Sequence, residues 1–176
     1  MENQRIRLSK KLMKDALISI LAEKPIEKIT VSEICEKAQI NRTTFYKYYG
    51  SQYELLKDIE NDLFSELEML FRSSDISEVD AIIKILNYLQ KEKEKCCVLM
   101  NSIPFEIFTQ KLFSLPALQN IISKNIVGKV PNREKKYISL FYCHGGYAII
   151  RNWLDEGCRE SPAEIAGILK KLSLMM

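Results

Sequence analysis

Apolar residues along this chain recur at intervals of three and four and rarely alternate. That is the period of helices packed through one face, not of half-buried strands. The first stripe, Leu12, Met13, Ala16, Leu17, Ile20 and Leu21, predicts a helix capped by Ser9 and running to about Lys24, with Pro25 as its stop. Residues Met1–Leu8 read as a polar arm carrying Arg5 and Arg7, either laid along phosphates or frayed. Thr30-Val31-Ser32-Glu33 has the spacing of a capping box, and the helix it opens turns Val31, Ile34, Cys35 and Ala38 inward. Gln39-Ile40-Asn41 forms a turn in which Ile40 enters the core and Asn41 caps the next short helix. That helix buries Phe45 and Tyr49 and leaves Arg42, Thr43, Thr44, Lys47 and Tyr48 outside. Helices this short are not stable alone. With the first helix as platform they form a three-helix unit of the helix-turn-helix kind.

Ser51 caps a longer helix whose apolar face begins at Leu55 and Leu56 and continues through Ile59, Leu63 and Leu67. A break at Ser73–Ser77 precedes a helix expected from Glu78 to Lys95, ending in the solvated run Lys91-Glu92-Lys93-Glu94-Lys95. Further helices are expected over Phe105–Phe113, from Leu115 or Pro116 to Val127, and over Asn132–Glu156. His144-Gly145-Gly146 falls inside the last of these, where two glycines allow a close helix approach or a kink. Ser161-Pro162-Ala163-Glu164 combines cap, first-turn proline and capping glutamate before the final helix. The expected fold is all-α.

Charge changes the picture in one place. Net charge is only +3, yet residues 1–50 hold ten Lys or Arg against six Asp or Glu. The basic excess sits with the short helices, where an anionic partner would profit from it. The start of the chain is charged and shows no cleavage site, and no apolar run approaches the ~18 residues of a membrane span. A cytoplasmic protein with reduced thiols is expected, without a membrane partner. Cys96-Cys97 invites a soft-metal reading, but no further Cys or His stands at ligand spacing, so a core role is expected. His144, the single histidine, is expected to make a structural hydrogen bond rather than to sense a ligand. With one histidine, no nucleophile elbow and no phosphate-cradling glycine loop, catalytic residues, metal ligands and cofactors are not expected.

The stretch Leu12–Leu56 resembles the DNA-binding domain of the tetracycline-repressor (TetR) family of bacterial transcription regulators. The resemblance lies in Ala16-Leu17, in Thr30-Val31 with Ile34, in Ile40-Asn41 with Thr44-Phe45-Tyr46 and Tyr48-Tyr49, and in Tyr53-Glu54-Leu55-Leu56. Three positions depart from the family pattern: Pro25 and Gln39 replace glycines, and Gln52 replaces a lysine that typically contacts phosphate. The C-terminal region, from Gly145, is similar to short members of the family, including the dihydroxyacetone-kinase operon regulators.

The resemblance implies a helix-turn-helix domain over residues 1–50 and a helical ligand-binding and dimerisation domain over 51–176. It implies double-stranded operator DNA as partner, a homodimer through about residues 132–174, and a small-molecule effector bound by residues that the sequence does not name. The expected role is a repressor released from its operator by that effector. The alternative is a regulator acting mainly through a protein partner, in the manner of a co-activator. Arg42 is expected to read bases, since a guanidinium can bond guanine with two hydrogen bonds. Thr43 and Thr44 are expected at bases, a thymine methyl or nearby phosphate, and Tyr46, Lys47 and Tyr48 at the backbone. Thr30, Ser51 and Gln52 complete the expected DNA-binding set from two helix N-termini.

Overall fold

The structure is a computed structural model that describes residues 4–70, 77–115 and 131–174. Among these residues it contains nine α-helices and no strand. The helix expected to begin near Leu115 lies outside them, as does most of the break before Ser77. The chain divides into two compact units, Met1–Leu63 and Phe64–Met176.

In the first unit, α1 (Gln4–Leu21) is followed by a short 3-10 turn (Ile26–Lys28), α2 (Val31–Ala38), α3 (Arg42–Tyr46) and α4 (Gln52–Leu70). α1 begins five residues before the expected cap. Ser9 is not that cap: its hydroxyl donates to the Arg5 carbonyl at 3.0 Å, one turn back, an alternative open to serine inside a helix. Met13, Leu17, Ile29, Ile34 and Phe45 are fully buried, joined by Leu55, Ile59 and Leu63 from α4. The first half of α4 therefore packs into this unit. The packing boundary lies within α4, beyond the change of helix at Gly50–Ser51.

The second unit contains the rest of α4, α5 (Glu78–Lys91), α6 (Lys93–Ser102), α7 (Phe105–Ser114), α8 (Asn132–Asp155) and α9 (Pro162–Leu174). The single helix expected over Glu78–Lys95 is two. The backbone of Glu92 leaves helical geometry (φ −102°, ψ 29°) and serves both as the end of α5 and the start of α6. Nor is the charged run wholly solvated. Lys95 is half-buried and reaches the Glu66 carboxylate on α4 at 3.2 Å, and the Tyr88 hydroxyl donates to the same carboxylate. An aromatic cluster fills the middle, with Phe64 5.5 Å from Phe108 and Tyr147 4.7 Å from Phe105 between ring centres. Trp153 is buried with its indole N–H satisfied by the Glu160 carbonyl at 2.9 Å.

α8 runs unbroken through His144-Gly145-Gly146. A Cβ on Gly145 would meet nothing within 4 Å, and one on Gly146 only the tip of Leu169 at 4.0 Å, so a tight approach among the described residues does not account for the pair. Gly157, at φ 92°, and Cys158, at φ 57°, turn the chain out of α8. The Cys158 N–H returns to the Trp153 carbonyl at 2.8 Å to close the helix end. α9 then opens on the expected box: Ser161 accepts from the Glu164 N–H at 3.3 Å while the Glu164 carboxylate accepts from the Ser161 N–H at 2.7 Å.

Candidate nucleic-acid interface

The interface is built on two caps. At the start of α2, the Thr30 hydroxyl accepts from the Glu33 N–H at 3.3 Å and the Glu33 carboxylate accepts from the Thr30 N–H at 2.8 Å. Lys24 reaches the same carboxylate. Its ammonium, with Thr30's backbone N–H and hydroxyl, holds the Glu33 carboxyl down at about 2. At the start of α3, the Asn41 side chain accepts from the Thr43 N–H at 2.9 Å. Between the two, Gln39 adopts left-handed geometry (φ 54°, ψ 43°), which glycine adopts more readily than any residue with a Cβ. The Ile40 N–H closes onto the Cys35 carbonyl at 2.9 Å. Ile40 itself is half-buried, so it covers the core instead of filling it.

Fully buried Phe45 fixes the rotation of α3, and Tyr49 beyond it donates its hydroxyl to Asp58 of α4 at 2.7 Å. Asp58 and Asp62 both hold Lys14 of α1, at 2.7 and 2.6 Å. With its inner face pinned, α3 presents Arg42, Thr43, Tyr46 and Lys47 to solvent and leaves Thr44 and Tyr48 half-buried. Thr30 is exposed at the α2 N-terminus, and Ser51 and Gln52 are half-buried at that of α4. The structure thus brings Arg42, Thr43 and Tyr46 onto one short helix, with Lys47 at its C-terminal cap. Thr30, Ser51 and Gln52 belong to the ends of the two helices that flank it in the chain.

The α4 terminus departs from expectation in one respect. The Ser51 hydroxyl accepts from the Glu54 N–H at 3.3 Å, as a cap should, but the Glu54 carboxylate folds back and accepts from the Gly50 N–H at 2.8 Å. A Cβ on Gly50 would lie 3.0 Å from that carboxylate. One N–H beside this helix end is therefore already occupied by an anion of the chain itself. The sequence also gave no sign of Lys10. From α1, its ammonium stands 5.8 Å from the centre of the Tyr48 ring, the same distance as that of Lys47. The stripe of α1 was legible, but the residue that its outer face would meet was not.

In the second unit, Phe105, His144, Tyr147, Arg151, Asn152 and Asp155 line an open groove of about 550 Å³. His144 is exposed and packs on the Phe105 ring at 4.3 Å, in place of the expected hydrogen bond. Arg151 is engaged by Asn101 and by Asp155, the latter at 3.7 Å, so the polar end of the groove is charge-balanced. Cys96 is wholly buried and its thiol is pushed up to about 12, chiefly by burial. Among the described residues no group of His, Cys, Asp and Glu has the arrangement to hold a metal ion. No helix among them is long and apolar enough to cross a membrane.

A capped pair of short helices, with one outer face polar and basic and the inner face locked by Phe45, defines a helix-turn-helix protein of all-α class. The family model described as "Bacterial regulatory proteins, tetR family" matches residues 15–59, and that described as "Transcriptional regulator C-terminal region" matches residues 79–174. The chain belongs to the TetR family of transcription regulators. It is 27% identical over 165 residues to the uncharacterised helix-turn-helix-type transcriptional regulator YxbF of Bacillus subtilis, across 88% of this chain and 42% of that protein. It is 28% identical over 106 residues to DhaS, the dhaKLM operon transcriptional activator of Lactococcus lactis, across 60% of this chain and 49% of that one. The chain thus spans about half the length of the curated relatives it matches. Among solved structures, a TetR regulator from Streptococcus agalactiae has the same fold at a TM-score of 0.76 and 22% identity, covering 97% of this chain and 96% of that one. A dihydroxyacetone kinase operon activator, DhaS, superposes at 0.61 and 22% identity, covering 95% and 94%.

Proposed function

We propose that this chain is a sequence-specific DNA-binding regulator. Two copies would place one α3 each in successive major grooves of double-stranded operator DNA, ~34–36 Å apart. The observation that carries the reading is the locked α3: Phe45 buried beneath it and Arg42, Thr43, Tyr46 and Lys47 exposed above. Arg42 reads bases, with Thr43 and Thr44 beside it. Tyr46, Lys47 and Tyr48 hold the backbone and fix the register, with Thr30, Ser51 and Gln52 contributing at the flanking helix ends.

The two copies join through α8 and α9. This is supported by Tyr137, Leu140 and Phe141, which leave 70, 53 and 65% of their surface exposed, and by Ile168 and Leu172 on α9. A small-molecule effector, bound in the helical region after Gly50, favours a spacing of the two copies that no longer fits the grooves and releases them from the operator. The DhaS match supports a second reading, in which the protein activates transcription, and that reading is compatible with a protein partner in place of a small molecule.

A gel-shift against DNA flanking its own gene tests the reading. A retarded complex at low salt, competed by the same DNA better than by scrambled sequence, is expected. No complex at low salt would overturn it in favour of the partner reading.

A further inference from the structure

We propose that Lys10 on α1 completes a phosphate-binding saddle with Lys47 and Tyr48, and that this saddle grips a backbone phosphate of duplex DNA. The proposal rests on the DNA-binding reading above and adds to it a residue outside the helix-turn-helix.

Two ammonium groups, from helices far apart in sequence, each stand 5.8 Å from the centre of one tyrosine ring. Each lies within cation–π reach of the ring, whose face is electron-rich, but the two repel one another, since they lie at most about twice that distance apart. An anion seated between them removes the repulsion and gains from both. The same tyrosine carries a hydroxyl that can donate a hydrogen bond to an anion. Lys10 is one helical turn before Lys14, which is held by Asp58 and Asp62, and the Lys10 charge also favours the ionised form of Asp58. The ion pairs of Lys14 thus anchor α1 to α4 on the side that presents Lys10. The saddle borders α3, since the exposed Lys47 caps that helix. A phosphodiester fits the set: it is a single negative charge with several acceptor oxygens and is present wherever α3 would meet a groove.

A phosphate contact adds affinity without sequence preference and releases a counterion. The experiment measures binding of the full chain to mixed-sequence duplex DNA across a salt series, for wild type, Lys10→Gln, Lys10→Arg and, as a remote charge control, Lys91→Gln. Lys10→Gln should bind more weakly to every duplex and flatten the plot of log affinity against log salt by about 0.9. Between 50 and 200 mM salt, wild type should then lose about 3.5-fold more affinity than the variant. Lys10→Arg and Lys91→Gln should keep the wild-type slope. An unchanged slope and affinity in Lys10→Gln, with wild type binding DNA, overturns the saddle and leaves the DNA reading standing. A wild type that binds no DNA overturns both. A second arm replaces chloride by inorganic phosphate at equal ionic strength. Stronger displacement by phosphate than by chloride, lost in Lys10→Gln, is expected, whereas such phosphate binding without any effect of Lys10→Gln on DNA affinity would assign the saddle to a free anion instead.

Discussion

Arg42 begins α3 and Lys47 caps its end, but the two are expected to fail differently. Arg42→Ala should cost about 1–3 kcal/mol of operator affinity and relax the sequence choice at one position, because it removes a base contact. Lys47→Ala should weaken binding to all duplexes alike and lower the salt slope by about one, because it removes a charge on the backbone. Binding assays across operator variants separate the two, and equal loss on every sequence for Arg42→Ala would remove its base-reading role. Gln39 makes a second prediction at this scale. Its left-handed backbone (φ 54°) is one that a residue with a Cβ adopts at a cost of about 1–2 kcal/mol. Gln39→Gly relieves that cost but gives the unfolded chain more freedom, worth about 0.5–1 kcal/mol the other way. A net gain of about 0.5–1 kcal/mol is expected, read as a higher denaturant midpoint at unchanged slope. A lower midpoint would mean that the Gln39 side chain itself stabilises the turn.

At the scale of the element, α2 depends on its first turn. The Glu33 carboxyl ionises near 2 in the folded chain, against an ordinary value near 4.5, because Lys24 and Thr30 favour its charged form. A depressed folded value means that the stabilisation is fully present above about pH 4.5 and is lost as pH falls toward about 2. Melting temperatures of wild type and Glu33→Gln should therefore differ by a constant amount above pH 5 and converge below about 4.5. A gap that persists at pH 2 would assign the effect to packing instead.

The caps at Thr30, Asn41 and Ser161 were all legible in the sequence, because a cap is a local arrangement of a few residues. The end of α8 was legible too, at Asp155 against an expected Glu156. The split of α5 from α6 was not. Leu89 and Cys96 are seven apart and remain in phase with one continuous stripe, and the five charged residues between them carry no apolar marker of a break. The early start of α1 was hidden for a related reason: a serine hydroxyl can cap a helix or bond one turn back, and sequence does not distinguish the two.

For the whole molecule, what the chain leaves uncovered matters more than what it buries. Helix α8 was legible in the sequence, but several of its large apolar side chains lie outside. Tyr147, Trp153 and Leu154 are core, whereas Tyr137, Leu140 and Phe141 face solvent. Periodicity marks an apolar face without saying whose atoms will cover it. A second copy as the cover makes a prediction. Phe141→Glu should leave the monomer folded, since the side chain is already 65% exposed, and should shift sedimentation equilibrium toward monomer by about 30-fold or more in dissociation constant. A dimer of unchanged strength would move the interface away from α8. The open space around Gly145 and Gly167 adds to the same expectation, since helices can approach closely there without displacing a side chain of the described residues.

The placement of the thiols has a practical consequence. Cys35 is buried in the first compact unit and Cys96 in the second, while Cys97, Cys143 and Cys158 are only half-buried. A buried thiol held above its ordinary ionisation range reacts only when its surroundings open. With the three accessible cysteines replaced by serine, a thiol-alkylating reagent becomes a clock with two hands. The labelling of Cys35 times the opening of the first unit and that of Cys96 times the second, in one tube and without any added probe.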